Sequence, residues 1–137
     1  MALSNSINPT FDAMGFKAVE LTPDDSATVL NVIPALTRSV SLGANVNDAN
    51  DFTVLPSLAD VPTGHVITII AGSAANSELR TPAASAEEIN SEDCDGTKEL
   101  LMTATNVYTL TKIDSTIGWM CKSFTAVGTV VASVTPD

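Results

Sequence analysis

The sequence predicts an all-β domain, an antiparallel β-sandwich or small β-barrel, preceded by an extended N-terminal arm. Three observations predict it. Short runs rich in Val, Thr and Ile recur through residues 16–137, each stopped by Pro, Gly, Asn or Asp. One of these runs alternates apolar and polar side chains with the strand period of two. No apolar stripe at helical spacing runs longer than two turns. With 137 residues the chain is long enough for one well-buried core and short for two.

Residues 16–137 read as that single β-domain. Phe16 to Leu21 is a β-type run closed by Thr22, Pro23, Asp24 and Asp25, and Thr28 to Ile33 is the next. Leu36 to Leu42 alternates, with Leu36, Val40 and Leu42 on one face and Thr37, Ser39 and Ser41 on the other, although Arg38 sits awkwardly on the apolar side. After the polar loop Asn45 to Asp51, Phe52 to Leu55 forms a short strand ended by Pro56. His65 to Ala71 is apolar on both faces, Val66 and Ile70 on one, Ile67 and Ile69 on the other, as expected of a central strand. Residues 72–98 are small, polar and acidic. Pro82 suits a first helical turn there and Ser85 with Glu88 fits a capping box, which predicts one helix. Strands resume at Lys98 to Ala104, Val107 to Ile113, Ile117 to Lys122 and Thr129 to Val134, with a turn at Asp114, Ser115 and Thr116. Trp119, Val66, Ile67, Ile69, Ile70 and Leu110 are the expected core.

The arm, residues 1–15, carries Leu3, Ile7, Phe11 and Met14 at no regular period, broken by Pro9 and Gly15. Two readings fit it: a frayed terminus, or an arm docked on its own domain or a neighbour's. Four sizeable apolar side chains favour the docked arm and make these residues the candidate contacts with a partner or subunit. The start MALSNSINPT lacks the basic and apolar regions of an export signal, so none is expected.

Charge narrows the partners. Six Lys and Arg against 16 Asp and Glu give a formal net charge of -10, which cannot neutralise a row of phosphates or an anionic membrane surface. Nucleic acid and membrane are therefore not expected partners. Hydrophobic residues make up 45% and charged ones 16%, too apolar for a disordered acidic chain.

The chemistry-bearing residues are few. His65 is the single histidine; no G-x-S-x-G sequence surrounds any serine, so a structural histidine at a strand end is the expectation over a hydrolase built on it. No phosphate-cradling glycine motif occurs, and Cys94, Cys121 and His65 are too few and too scattered for zinc. The acidic stretch Glu87, Glu88, Glu92, Asp93, Asp95, Gly96 could offer hard oxygen ligands to calcium. Aligned as an EF-hand loop on Gly96, however, it places Ser91 first and Met102 twelfth, where a bidentate Glu is required. A solvated acidic loop is the default. Cys94 and Cys121 could pair only if the fold brings them together, and a chain made in a reducing cytoplasm keeps them free. No cofactor, no metal and no enzymatic activity is expected.

Two segments resemble a known group. FTVLPSLADVPTGHVITIIAGSA resembles the strand, proline, loop, glycine, strand unit of small β-rich virion proteins of tailed bacteriophages. YTLTKIDSTIGWMCKSFTAVGTVVASVTPD resembles their C-terminal part, where a hairpin leads to a Gly-Trp pair and a closing strand. Between them, Ile89 and Asn90 stand where those chains often show an Ile-Asn-Gly turn, here without the Gly. The resemblance implies a capsid decoration (cement) protein or a head- or tail-fibre module, commonly trimeric. It would be made in the host cytoplasm and placed on the virion exterior, with the major capsid protein as partner. A fibre or receptor-binding module would place its contacts on the loops Asn45 to Asp51 and Ala86 to Gly96.

Overall fold

A computed structural model describes residues 18–24, 31–44, 51–72, 77–83, 85–96, 98–116 and 118–131. The arm lies outside these, with Leu3, Ile7, Phe11 and Met14.

Among the described residues, ten strands fall into two sheets. The larger has seven strands in the order β1 (Ala18–Leu21), β2 (Ser39–Leu42), β4 (Val66–Ile70), β9 (Val107–Asp114), β10 (Gly118–Phe124), β6 (Glu88–Ile89), β7 (Glu92–Asp93). The smaller runs β3 (Phe52–Val54), β5 (Ser77–Arg80), β8 (Leu100–Met102). One core joins them: Val40, Ile67, Ile69, Leu110 and Trp119 from the large sheet pack with Leu79, Leu100 and Met102 from the small one. The all-β, sandwich-like class holds: two open sheets share one core, their strands paired both parallel and antiparallel, and they do not close into a barrel.

The mixture has a topological cause. Parallel neighbours need a crossover, which is usually a helix. Here the chain crosses to the other sheet and back instead. β3 in the small sheet carries the chain between parallel β2 and β4, and β4 in the large sheet carries it between parallel β3 and β5.

The longest strands follow from alternation. Along β9, Tyr108, Leu110 and Lys112 are buried while the residues between them are half-buried. Asp114 ends this strand, its Oδ1 accepting from Thr116 N at 2.6 Å, and β10 returns antiparallel. Gly118 then opens β10 with φ +77°, and a Cβ there would lie 2.4 Å from the Glu88 carbonyl oxygen. Only a bare backbone admits the close approach that pairs Trp119 with Ile89.

Three expectations change. The helix expected within residues 72–98, on Pro82, Ser85 and Glu88, does not form among the described residues. Ser85 Oγ accepts from Glu87 N, two residues on, and Asn90 and Ser91 take φ 53° and 70°, a two-residue hairpin turn between β6 and β7. Such a turn cannot sit in a helix. Leu36 leaves the face of Val40 and Leu42, because its φ of 65° places it in a turn before β2; Leu36 and Arg38 are exposed and Thr37 is buried. Finally, β4 is covered on one face only. Ile67 and Ile69 are fully buried, whereas Val66 is half-buried and Ile70 is 43% exposed.

Candidate functional site

Register separates the two faces of the small sheet. Thr53, Leu79 and Leu100 stand side by side facing the core, and Phe52, Glu78 and Leu101 stand side by side on the opposite face, with Val54 beside Arg80. Over that outer face lies a cavity of about 490 Å³. Phe52 and Val54 form part of its lining, Val32–Ala35 bound it beside β3, and Pro56, Ser57 and Thr81–Ala83 bound it where β3 and β5 end. Phe52 and Val54 are each only 8% exposed.

Among the described lining residues, Arg80 supplies the guanidinium. It lies 4.2 Å from the centre of the Phe52 ring, a cation-π contact, and is held by Glu78 (Nε to Oε2, 3.0 Å) and Glu99 (Nη2 to Oε1, 3.2 Å). Asp60 and Asp95 also line the cavity. Among the described residues neither has an ion-pair partner. The site's uncommitted charge is thus negative.

One wall is built from two distant charges. The 3-10 turn Leu58–Asp60 follows Pro56 and Ser57, and its free N–H end is met by Glu87, whose Oε1 accepts from Ser57 Oγ at 2.8 Å and Leu58 N at 3.0 Å. At its carbonyl end the buried Lys112 ammonium donates to Leu58 O and, at 2.6 Å, to Val61 O. The turn is short and has little stability of its own. Charge-assisted bonds from β9 and from the segment before β6 hold it in place.

The residues singled out in the sequence are distributed as follows. His65 is 4% exposed, and its Nε2 donates to Thr37 O at 2.8 Å, so the ring ties the start of β4 to the turn before β2. The acidic stretch is dispersed: Glu87 caps the 3-10 turn, Glu92 pairs with Lys98 at 2.5 Å, and Asp93 Oδ1 accepts from Asp95 N. No group of three or more His, Cys, Asp or Glu among the described residues could hold a metal ion. Cys94 and Cys121 are buried free thiols. Burial pushes Cys94 up to about 11, with Asp93 and Glu99 adding to it, and pushes Cys121 up to about 12.

The cavity was not legible in the sequence. Its lining is contributed by five separated segments, and of its prolines Pro56 reads locally as a strand end and Pro82 as a first helical turn. A comparison with known protein families finds no match, and no curated protein matches the chain.

Proposed function

We propose that this protein is a capsid decoration protein of a tailed bacteriophage, a homotrimer that binds the assembled head shell from outside, with the major capsid protein as its partner. The observation that carries this reading is the uncovered face of the seven-stranded sheet. Ile70, Val107, Phe124 and Val130 stand in register across it, Ile70 43% and Val130 63% exposed, with Met120 a further 45% exposed apolar side chain. A contiguous apolar row on a folded domain suits attachment to another protein. The net charge of -10 suits a surface turned away from packaged nucleic acid. The arm side chains Leu3, Ile7, Phe11 and Met14 supply further anchors. The mechanism is mass action: a protein that binds only assembled shell stabilises it in proportion to occupancy and affinity.

Quantitative mass spectrometry of purified particles tests this. A copy number comparable to that of the shell protein supports decoration, a few copies per particle move the reading to a fibre or receptor-binding module, and absence from the particle overturns both. Cosedimentation with emptied shells locates the contacts: deletion of residues 1–14 is expected to abolish binding, and unchanged binding removes the arm from the interface.

A further inference from the structure

We infer that the groove over Phe52 and Val54 is a docking site for a segment of a partner chain that carries apolar side chains together with lysine or arginine. The lining dictates the apolar half. Pro34, Val54, Pro56 and Pro82 present carbon, and the three prolines lack N–H groups, so the walls reward side-chain burial more than backbone pairing. Thr81 also lines the groove, and its buried Oγ1 has no hydrogen-bond partner.

Charge dictates the other half. Arg80 is neutralised by Glu78 and Glu99, which leaves the carboxylates of Asp60 and Asp95 to act on an occupant. A cationic side chain at the rim gains from both, and an acidic segment is repelled by them and by the chain's excess of 16 acids over 6 bases.

This inference goes beyond the proposed function and does not rest on it; where that function holds, the shell protein supplies the segment. The test uses the whole protein, ¹⁵N-labelled, titrated with a capped octapeptide alternating valine and lysine. Two control peptides replace every lysine by glutamate or every valine by serine. The expected result is saturable shift changes confined to Ile33, Val54, Leu55, Asp60, Thr81 and their neighbours, with both controls binding about tenfold more weakly or not at all. Asp60→Asn with Asp95→Asn should weaken the valine-lysine peptide about fivefold. Ala83→Trp, which fills the groove from an exposed position, should abolish binding while leaving the spectrum of the core intact. Equal binding of the glutamate or serine peptide, shift changes on the large sheet instead, or no binding at millimolar peptide each overturn the inference. Shell cosedimentation is measured separately, so failure of the groove and failure of the decoration reading are distinguishable.

Discussion

Asn90 holds the backbone of Cys121 from both sides: its Oδ1 accepts from Cys121 N at 2.8 Å and its Nδ2 donates to Cys121 O at 3.2 Å. The side-chain amide thereby continues a ladder that the main chain makes only between Ile89 and Trp119, with Asn90 N donating to Trp119 O at 2.9 Å. Asn90→Ala loses both bonds and places a β-carbon residue at φ 53° without the asparagine's tolerance for it. The expected cost is about 2–3 kcal/mol in urea unfolding. Asn90→Gly, which restores the turn but not the bonds, should recover about 1 kcal/mol of that; equal loss in both variants would assign the whole effect to the hydrogen bonds.

Ser91, the second residue of the same turn, is exposed at φ 70°. Two-residue hairpins of this kind favour glycine at the position. Ser91→Gly should stabilise the fold by about 0.5–1 kcal/mol, seen as a higher urea midpoint at unchanged slope.

Gly118 and Gly64 share a left-handed backbone, φ +77° and +82°, but differ in surroundings. A Cβ on Gly64 meets nothing within 4 Å, whereas one on Gly118 meets the Glu88 carbonyl oxygen at 2.4 Å. Gly64→Ala should cost about 1 kcal/mol. Gly118→Ala should cost about 3 kcal/mol or more, because β6 must be displaced from Trp119 as well. Comparable melting temperatures for the two variants would contradict the close approach.

Thr53 is fully buried beside Leu79, and its Oγ1 has no hydrogen-bond partner. Desolvating that hydroxyl without return costs stability. Thr53→Val keeps the branched strand shape and should raise stability by about 1 kcal/mol, read as an increased melting temperature; a decrease would show that the hydroxyl is satisfied.

Folding raises both thiol pKa values, to about 11 for Cys94 and about 12 for Cys121, from an ordinary value of 9.0. Above pH 9 the unfolded chain loses thiol protons that the folded chain retains. The stability contributed is therefore fully present below pH 9 and is lost as pH rises through 11 to 12. Native protein at pH 8 should resist a thiol-specific reagent that titrates both cysteines at once in denaturant. Rapid native labelling would contradict the burial of Cys94 and Cys121.

Much of this fold was legible one residue at a time. The β9–β10 hairpin follows from the alternation of Tyr108, Leu110 and Lys112 and from the turn chemistry of Asp114 to Thr116, because those signals are local. β5, with the sequence SELR, carries one apolar side chain and two charges, and becomes a strand only because parallel β3 and antiparallel β8 flank it. β6 and β7 are two residues each, too short to show a period, while Ser85 and Glu88 match a helix cap that the Asn90–Ser91 turn overrides. The groove lay further out of reach. Its floor, walls and rim are far apart in sequence and meet only when the chain crosses between sheets.

What the sequence determined by itself was the all-β class, most strand positions, a buried Trp119 and the acidic surface, since period, turn residues and charge act within a few residues of one another. Only the tertiary structure decided which strands are neighbours, that Glu87 and Lys112 are spent on one 3-10 turn, and that Asp60 and Asp95 stand over an apolar groove. Those relationships depend on contacts between residues as much as 54 positions apart. Each is set by the free energy of burying the whole core, not by the preference of any one segment.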